Sequence, residues 1–342
     1  MNKRLPVIDK HQTPCRPTSN TQPAIPFTAL LVLCWIMLLS LHIMAQAPAT
    51  YTLTWADEFN STTLDTTQWK YRVGASGTSY QRPENVVMDN GKMRINLKKE
   101  PYQGKSYTGG GIITKLPRRY GYYEVSVKID GGYGWHEAFW TTWLCGFDDP
   151  DTAWRSLPGR TEIDCLEHYA GHANNYFTYG AIEWAPHHGN INRDYQTVVP
   201  NLATSYNTFG FEYTPDYLNY FFNGRLLKTI DMRNRPSHDF YLWLSTIATK
   251  ADATDSGAVF FDYLRCYSIS PANYAIRKVP FLHYLDSLRG TSQSALLMPS
   301  IKAASRTKKK KLPFMDESHP FLPAAAPGPN RTIIVRYDYA KN

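Results

Sequence analysis

Short apolar runs separated by turn residues organise the middle of the chain. YYEVSVKI at 122–129, FGFEY at 209–213, LNYFFNG at 218–224 and DFYLWLSTI at 239–247 are rich in aromatic and β-branched residues. That composition, with polar residues at alternate positions in several of them, is what half-buried strands require. Asn-Gly pairs at 90–91 and 223–224 sit between such runs and predict tight hairpins, because both residues accept the positive φ of a two-residue turn. No central stretch has the period of a long amphipathic helix. The pattern predicts an all-β domain of two packed layers over 48–270, about 220 residues long.

The two ends read differently. Lys3, Arg4, Lys10 and Arg16 precede an apolar run from Ala29 to Met44, followed by Ala45 and Ala47 at small-residue positions. This predicts an export signal over 1–47, with an unusually long leading segment, cleaved after Ala47. The run is shorter than the ~20 residues of a membrane span, so no stable span is expected after cleavage, and the mature protein is expected outside the cytoplasm. Beyond 270, PANYAIRKVPFLHYLDSLRG suggests a short helix or strap. KKKK at 308–311 and LPAAAPGPN at 322–330 predict that 271–342 is a basic, flexible extension. RTIIVRYDY at 331–339 is strand-like with no evident sheet partner.

Charge follows this division. The chain has 37 Lys and Arg against 29 Asp and Glu, a net +8, yet residues 48–270 hold 21 basic and 24 acidic side chains. The excess positive charge lies in the ends, so the central domain lacks the basic character of a nucleic-acid enzyme. Cys145, Cys165 and Cys266 are too few for a disulfide scaffold, and no Cys or His spacing suits zinc.

The chemistry concentrates in EIDCLE, 162–167. Three carboxylates within six residues, interleaved with Ile, Cys and Leu, are explained by a solvated acidic edge, an oxygen-ligand metal site or paired catalytic acids. In regular alternation Glu162 and Asp164 share a face and Glu167 does not. A bulge at Cys165 and Leu166 would return Glu167 to that face. Two glutamates so placed suit a double-displacement glycosidase, whose carboxyl groups stand about 5 to 5.5 Å apart. Glu162 is then the nucleophile, which reacts ionised, and Glu167 the acid/base, which starts protonated. Asp164 holds Glu162 in place, and Cys165 packs away from the groove as a small hydrophobe.

Flanking segments extend the motif. TEIDCLEHY resembles the bulged signature of glycoside hydrolase family 16. YTLTWADEFN at 51–60, ENVVMDNGKMRINLKKE at 84–100, GGGIITK at 109–115, YGYYEVSVKI at 120–129, WHEAFWTTW at 135–143, FGFEYTPDYLNYFFNG at 209–224 and FFDYLRCYSI at 260–269 resemble that family in the same order. The resemblance covers roughly 51–270. It implies a β-jelly-roll sandwich of two curved antiparallel sheets with a concave substrate groove. It assigns nucleophile, assisting aspartate and acid/base to Glu162, Asp164 and Glu167, and implies a retaining endo-acting enzyme that cuts internal β-1,3 or β-1,4 linkages of a glucan or galactan. No cofactor is implied for the chemistry; a structural calcium ion is allowed, with no ligands assigned.

Around the acids, Trp135 and Trp140 are the preferred sugar-stacking rings, Trp143 is expected to be structural, and Trp184 to form a groove wall. His136, Glu137 and His187 are candidate contacts to hydroxyl groups, His168 a buried supporting residue, and Arg82 a contact for a charged substituent. The chain reads WHEAFW where β-1,3-glucanases of the family read WPAFW, which leaves a galactan open beside a glucan. The expected partner is a polysaccharide, with no nucleic acid, and the protein is expected to be a monomer. A transglycosylase is the alternative among enzymes, and a non-catalytic glycan binder the alternative outside them.

Overall fold

The computed structural model describes residues 47–146, 160–169, 176–184, 189–197 and 202–296. Its strands are β1 (Tyr51–Asp57), β2 (Trp69–Tyr71), β3 (Gly74–Ser76), β4 (Ser79–Gln81), β5 (Val86–Met88), β6 (Met93–Lys98), β7 (Tyr107–Gly109), β8 (Gly111–Thr114) and β9 (Gly121–Asp130). They continue as β10 (Trp135–Thr142), β11 (Thr161–Tyr169), β12 (Tyr176–Glu183), β13 (Gly189–Thr197), β14 (Asn207–Tyr213), β15 (Tyr217–Phe222), β16 (Arg225–Asp231), β17 (Tyr241–Ala248) and β18 (Ser256–Ile269). Two sheets form. One is ordered β16-β15-β14-β9-β18-β6-β7-β4-β3, with β1 added to β18 and β5 to β6; the other is β13-β12-β11-β10-β17-β8-β2. Pairing is antiparallel except between β4 and β7. The result is the expected jelly-roll sandwich of curved sheets.

Alternation decides which side chains lie between the sheets. In β6, Met93, Ile95 and Leu97 are buried while Arg94, Asn96 and Lys98 are partly open. The main core joins Val125, Val127, Phe209 and Phe211 of the first sheet to Phe139, Ile163, Phe177 and Leu244 of the second. Replacing a fully buried Phe of this kind by Ala typically costs about 3–5 kcal/mol, so the packed interior holds the two layers in register. Cys145, Cys165 and Cys266 are not joined in disulfides, and the fold has none among the described residues.

Both Asn-Gly pairs make the expected hairpins. Asn90 and Gly91 have φ of 52° and 73°, and Asn223 and Gly224 have 48° and 73°, the left-handed values that a two-residue hairpin turn demands.

Residues 271–296 extend the short helix or strap suggested by PANYAIRKVPFLHYLDSLRG. They form α1 (Pro271–Leu296), with Pro280 inside it, packed on the outer face of the first sheet. Glu212 on β14 is fully buried there. Arg277 binds it through two contacts of 2.6 and 2.7 Å, and Tyr51, Tyr217 and Asn219 donate to the same carboxylate. Phe281 packs on Tyr217, and Tyr274 donates to Asp216. The helix is therefore held by a buried charge that needs it rather than by an amphipathic stripe. No helix among the described residues is long and apolar enough to cross a membrane.

Removing one partner of a buried ion pair strands the other charge. Arg277→Ala should destabilise the domain by about 3 kcal/mol, and the double variant Arg277→Met with Glu212→Gln by less. Denaturant midpoints of the three proteins check this.

Candidate active site

The acidic segment lies in β11, at the middle of the second sheet. Opposite β10, Ala138 pairs with Glu167, Phe139 with Leu166 and Trp140 with Asp164, leaving Cys165 without a counterpart. Opposite β12, Asp164 pairs with Gly180 and Glu167 with Thr178, so Tyr179 faces two residues. This is the expected bulge. Cys165 and Leu166 both enter the core, and Glu162, Asp164 and Glu167 share the face turned away from the first sheet.

The neighbours of each acid differ. Trp184 Nε1 donates to Glu162 Oε2 at 2.9 Å, and Asp164 donates to Glu162. Burial pushes Glu162 up to about 8, with the charge of Glu167 adding to it and the Trp184 hydrogen bond opposing it. Burial and the flanking glutamates raise Asp164 well above the ordinary carboxyl range. The pair thus retains protons in the folded site. Glu167 is the reverse. Burial alone would raise it, but His136, Arg193 and Tyr169 outweigh that and hold it down to about 2. Arg193 Nη2 stands 2.8 Å from Oε2 and Tyr169 donates to Oε1 at 2.9 Å. His136 Nε2 is 3.2 Å from Oε1, off line for a hydrogen bond but close enough to favour the ionised carboxylate.

Register sorts the other predicted residues. His136 and Trp140 occupy alternate positions of β10 on the same face as the acids. Trp140 donates to Ser245 at 3.1 Å and lies 4.8 Å from the ring of Trp243, and His136 stacks on Tyr169 at 4.2 Å. Trp135 and Glu137 fall on the opposite face and correct the expectation of substrate contact. Trp135 is fully buried against Tyr107, with its indole N–H donated to the Thr254 carbonyl. Glu137, also fully buried, pairs with His168 at 2.7 Å; the strand period that brings Trp140 into the groove puts both inside the sandwich. Trp143 is buried with Leu144, Ile113 and Trp243, as expected of a structural ring. Arg82 is engaged by Glu84, Glu100 and the ring of Tyr102, and no contact among the described residues joins it to the acids. His187 lies outside the described residues.

Three contributors were not foreseen. Arg193 reaches the site from β13, two strands away, and only strand pairing reveals it. Trp243, from β17, is fully buried and supports Trp140 from behind, and Arg72 lies 5.7 Å from its ring. Tyr169 had a usable signal, being two residues beyond Glu167 and so on its face. Among the described residues, no group of three or more His, Cys, Asp and Glu side chains is arranged to hold a metal ion.

The family model for glycosyl hydrolases family 16 matches residues 75–265. A beta-glucanase of Rhodothermus marinus is 28% identical over 188 residues, 51% of this chain and 63% of that protein. A keratan-sulfate endo-1,4-beta-galactosidase of Sphingobacterium multivorum is 26% identical over 203 residues, 55% of this chain and 45% of that protein. The chain thus spans less than two thirds of either relative. Among solved structures, a laminarinase from Flavobacterium sp. shares the fold at a TM-score of 0.55 and 23% identity, covering 64% of this chain and 100% of that one.

The protonation pattern has a thermodynamic signature. Glu162 and Asp164 keep protons in the folded cleft that the unfolded chain releases near the ordinary values of 4.5 and 3.8. The folded state then binds more protons, and stability falls as pH rises toward about 8, by about 1.4 kcal/mol per pH unit for each proton retained. Glu167 acts oppositely: its contribution is present above its ordinary 4.5 and is lost as pH falls toward about 2. Thermal melts between about pH 5 and 8 should show declining Tm, and a flatter profile in Glu162→Gln.

Proposed function

Because the chain belongs to glycosyl hydrolases family 16, we propose that it is an exported, retaining endo-β-glycanase that cleaves internal β-1,3 or β-1,4 linkages of a glucan. One observation carries the assignment: the bulge at Cys165 and Leu166, which sets Glu162, Asp164 and Glu167 on one sheet face. The likeness to a beta-glucanase supports a glucan as the polymer. Export rests on the apolar run from Ala29 to Met44 and the small residues after it.

In this reading Glu162 attacks the anomeric carbon as the bond to the leaving oxygen breaks, and Glu167 gives that oxygen its proton. Glu167 then takes a proton from water as the water oxygen bonds to the anomeric carbon and releases Glu162. Two displacements at one carbon retain its configuration. Asp164 keeps its own proton and donates it to Glu162 as a hydrogen bond, and the attacking form is the one in which Glu162 has lost its proton and Glu167 holds one. Trp140 offers a ring face beside the acids for pyranose stacking, with Trp184 both walling the cleft and orienting Glu162.

A galactan is the second reading. The likeness to a keratan-sulfate endo-1,4-beta-galactosidase favours it, together with WHEAFW at 135–140.

Activity on laminarin, lichenan, agarose, porphyran and carrageenan, with products sized over time, separates these readings. A glucan-specific enzyme should shorten laminarin or lichenan through internal cuts and leave the galactans intact. Glu162→Ala should lose about a thousandfold or more in kcat. Added azide should rescue it as a glycosyl azide of inverted configuration; full activity in that variant would overturn the assignment.

A further inference from the structure

Four side chains, one each from β10, β11, β12 and β13, converge on Glu167. Oε1 has Tyr169 Oη at 2.9 Å and His136 Nε2 at 3.2 Å. Oε2 has Arg193 Nη2 at 2.8 Å and Thr178 Oγ1 at 3.4 Å. A carboxylate offers about four lone-pair sites, so both oxygens are occupied. This suits the second displacement, in which Glu167 is a base. It does not suit the first, which needs a proton on one oxygen aimed at the glycosidic bond. A guanidinium is a donor at every nitrogen and accepts nothing, so Oε2 cannot carry a proton toward it. The hydroxyls of Tyr169 and Thr178 can rotate, and His136 is already off line. Arg193 is the member of the cluster that blocks protonation, and its side chain is 20% exposed, within reach of a sugar in the cleft.

We propose that Arg193 is a positioning residue for the acid/base step: it occupies Glu167 Oε2 in the folded site, and the leaving-group sugar draws it off before that oxygen donates its proton. The inference rests on reading Glu167 as the acid/base. Arg193 also donates to Thr178 at 3.3 Å and interacts with Tyr169, and a guanidinium drawn off Glu167 suits the hydroxyls of an incoming sugar. When the leaving group departs, Arg193 returns to Glu167 and favours the ionised form that activates water. The titratable groups around Glu167 are Glu162, Asp164 and Tyr169 from its own strand, His136 from β10, Tyr176 from β12 and Arg193 from β13. Of these, Arg193 is the permanent cation, so its removal has a predictable sign.

The test uses the full chain with Arg193→Gln and Arg193→Lys. On a polymer substrate, the acidic limb of kcat/KM against pH, the one that Glu167 governs when Glu162 titrates higher, should move up by about one to three units in Arg193→Gln, the effect of one opposite charge at contact distance, and by less in Arg193→Lys. With a dinitrophenyl glycoside, whose leaving group needs no proton, the profile should follow Glu162 alone and the substitutions should not shift it through Glu167. Independently of turnover, NMR of glutamate side-chain carboxyl carbons, with Glu167→Gln to assign the signal, should show Glu167 titrating below the ordinary range in the wild type and higher in Arg193→Gln. An unmoved limb and an unmoved carboxyl titration in variants with wild-type Tm would overturn the role of Arg193. A wild type that cleaves no polymer would overturn the functional reading, and the carboxyl titration would then decide the Arg193 inference alone. If Arg193→Gln melts early, the smaller shift expected of Arg193→Lys decides it.

Discussion

Strand parity is the constraint on which the site depends, and one inserted residue satisfies it. A β-strand sends successive side chains to opposite faces, so six residues cannot present acids at positions 162, 164 and 167 together unless alternation is broken once. The break falls where two consecutive residues, Cys165 and Leu166, are both apolar and both enter the core. Hydrophobic burial of the pair offsets the ladder disruption that a bulge entails. Without the bulge, Glu167 would point into the sandwich among Phe139, Phe177 and Leu244, where an ionised carboxylate has no partners.

The same geometry gives two chemically identical side chains opposite behaviour. Glu162 meets an indole donor and a protonated aspartate, neither of which carries positive charge. Glu167 meets a guanidinium, a phenol and an imidazole, supplied by β13, β11 and β10. Burial raises both glutamates, and the neighbours from adjacent strands decide which one escapes it. The sheet therefore acts as an electrostatic frame. A residue two strands away has as much influence on the acid as its own sequence neighbours.

That frame explains what a sequence reader sees and misses. The hairpins at Asn90-Gly91 and Asn223-Gly224 are legible because the turn demands those residues locally. The bulge is legible because the spacing of three acids makes sense only with it. The parity of WHEAFW is not, since either alternate set places a tryptophan in the groove; Trp135 and Glu137 turned inward, and the charge of Glu137 is accommodated by His168, 31 positions later in the chain. Arg193 is invisible for a related reason, because its proximity to Glu167 exists only through the pairing of β11, β12 and β13. The helix beyond 270 is suggested in the sequence by PANYAIRKVPFLHYLDSLRG as a short helix or strap. What holds it is a single long-range pair, Arg277 with Glu212, that no local pattern announces.

The position of that helix gives the molecule a front and a back. Outward-facing Glu212, Tyr217 and Asn219 on the first sheet receive α1, while the acids occupy the far face of the second sheet. Strain at the helix contact can therefore reach the acids only through the packed core between the sheets, since the two faces share no side chain.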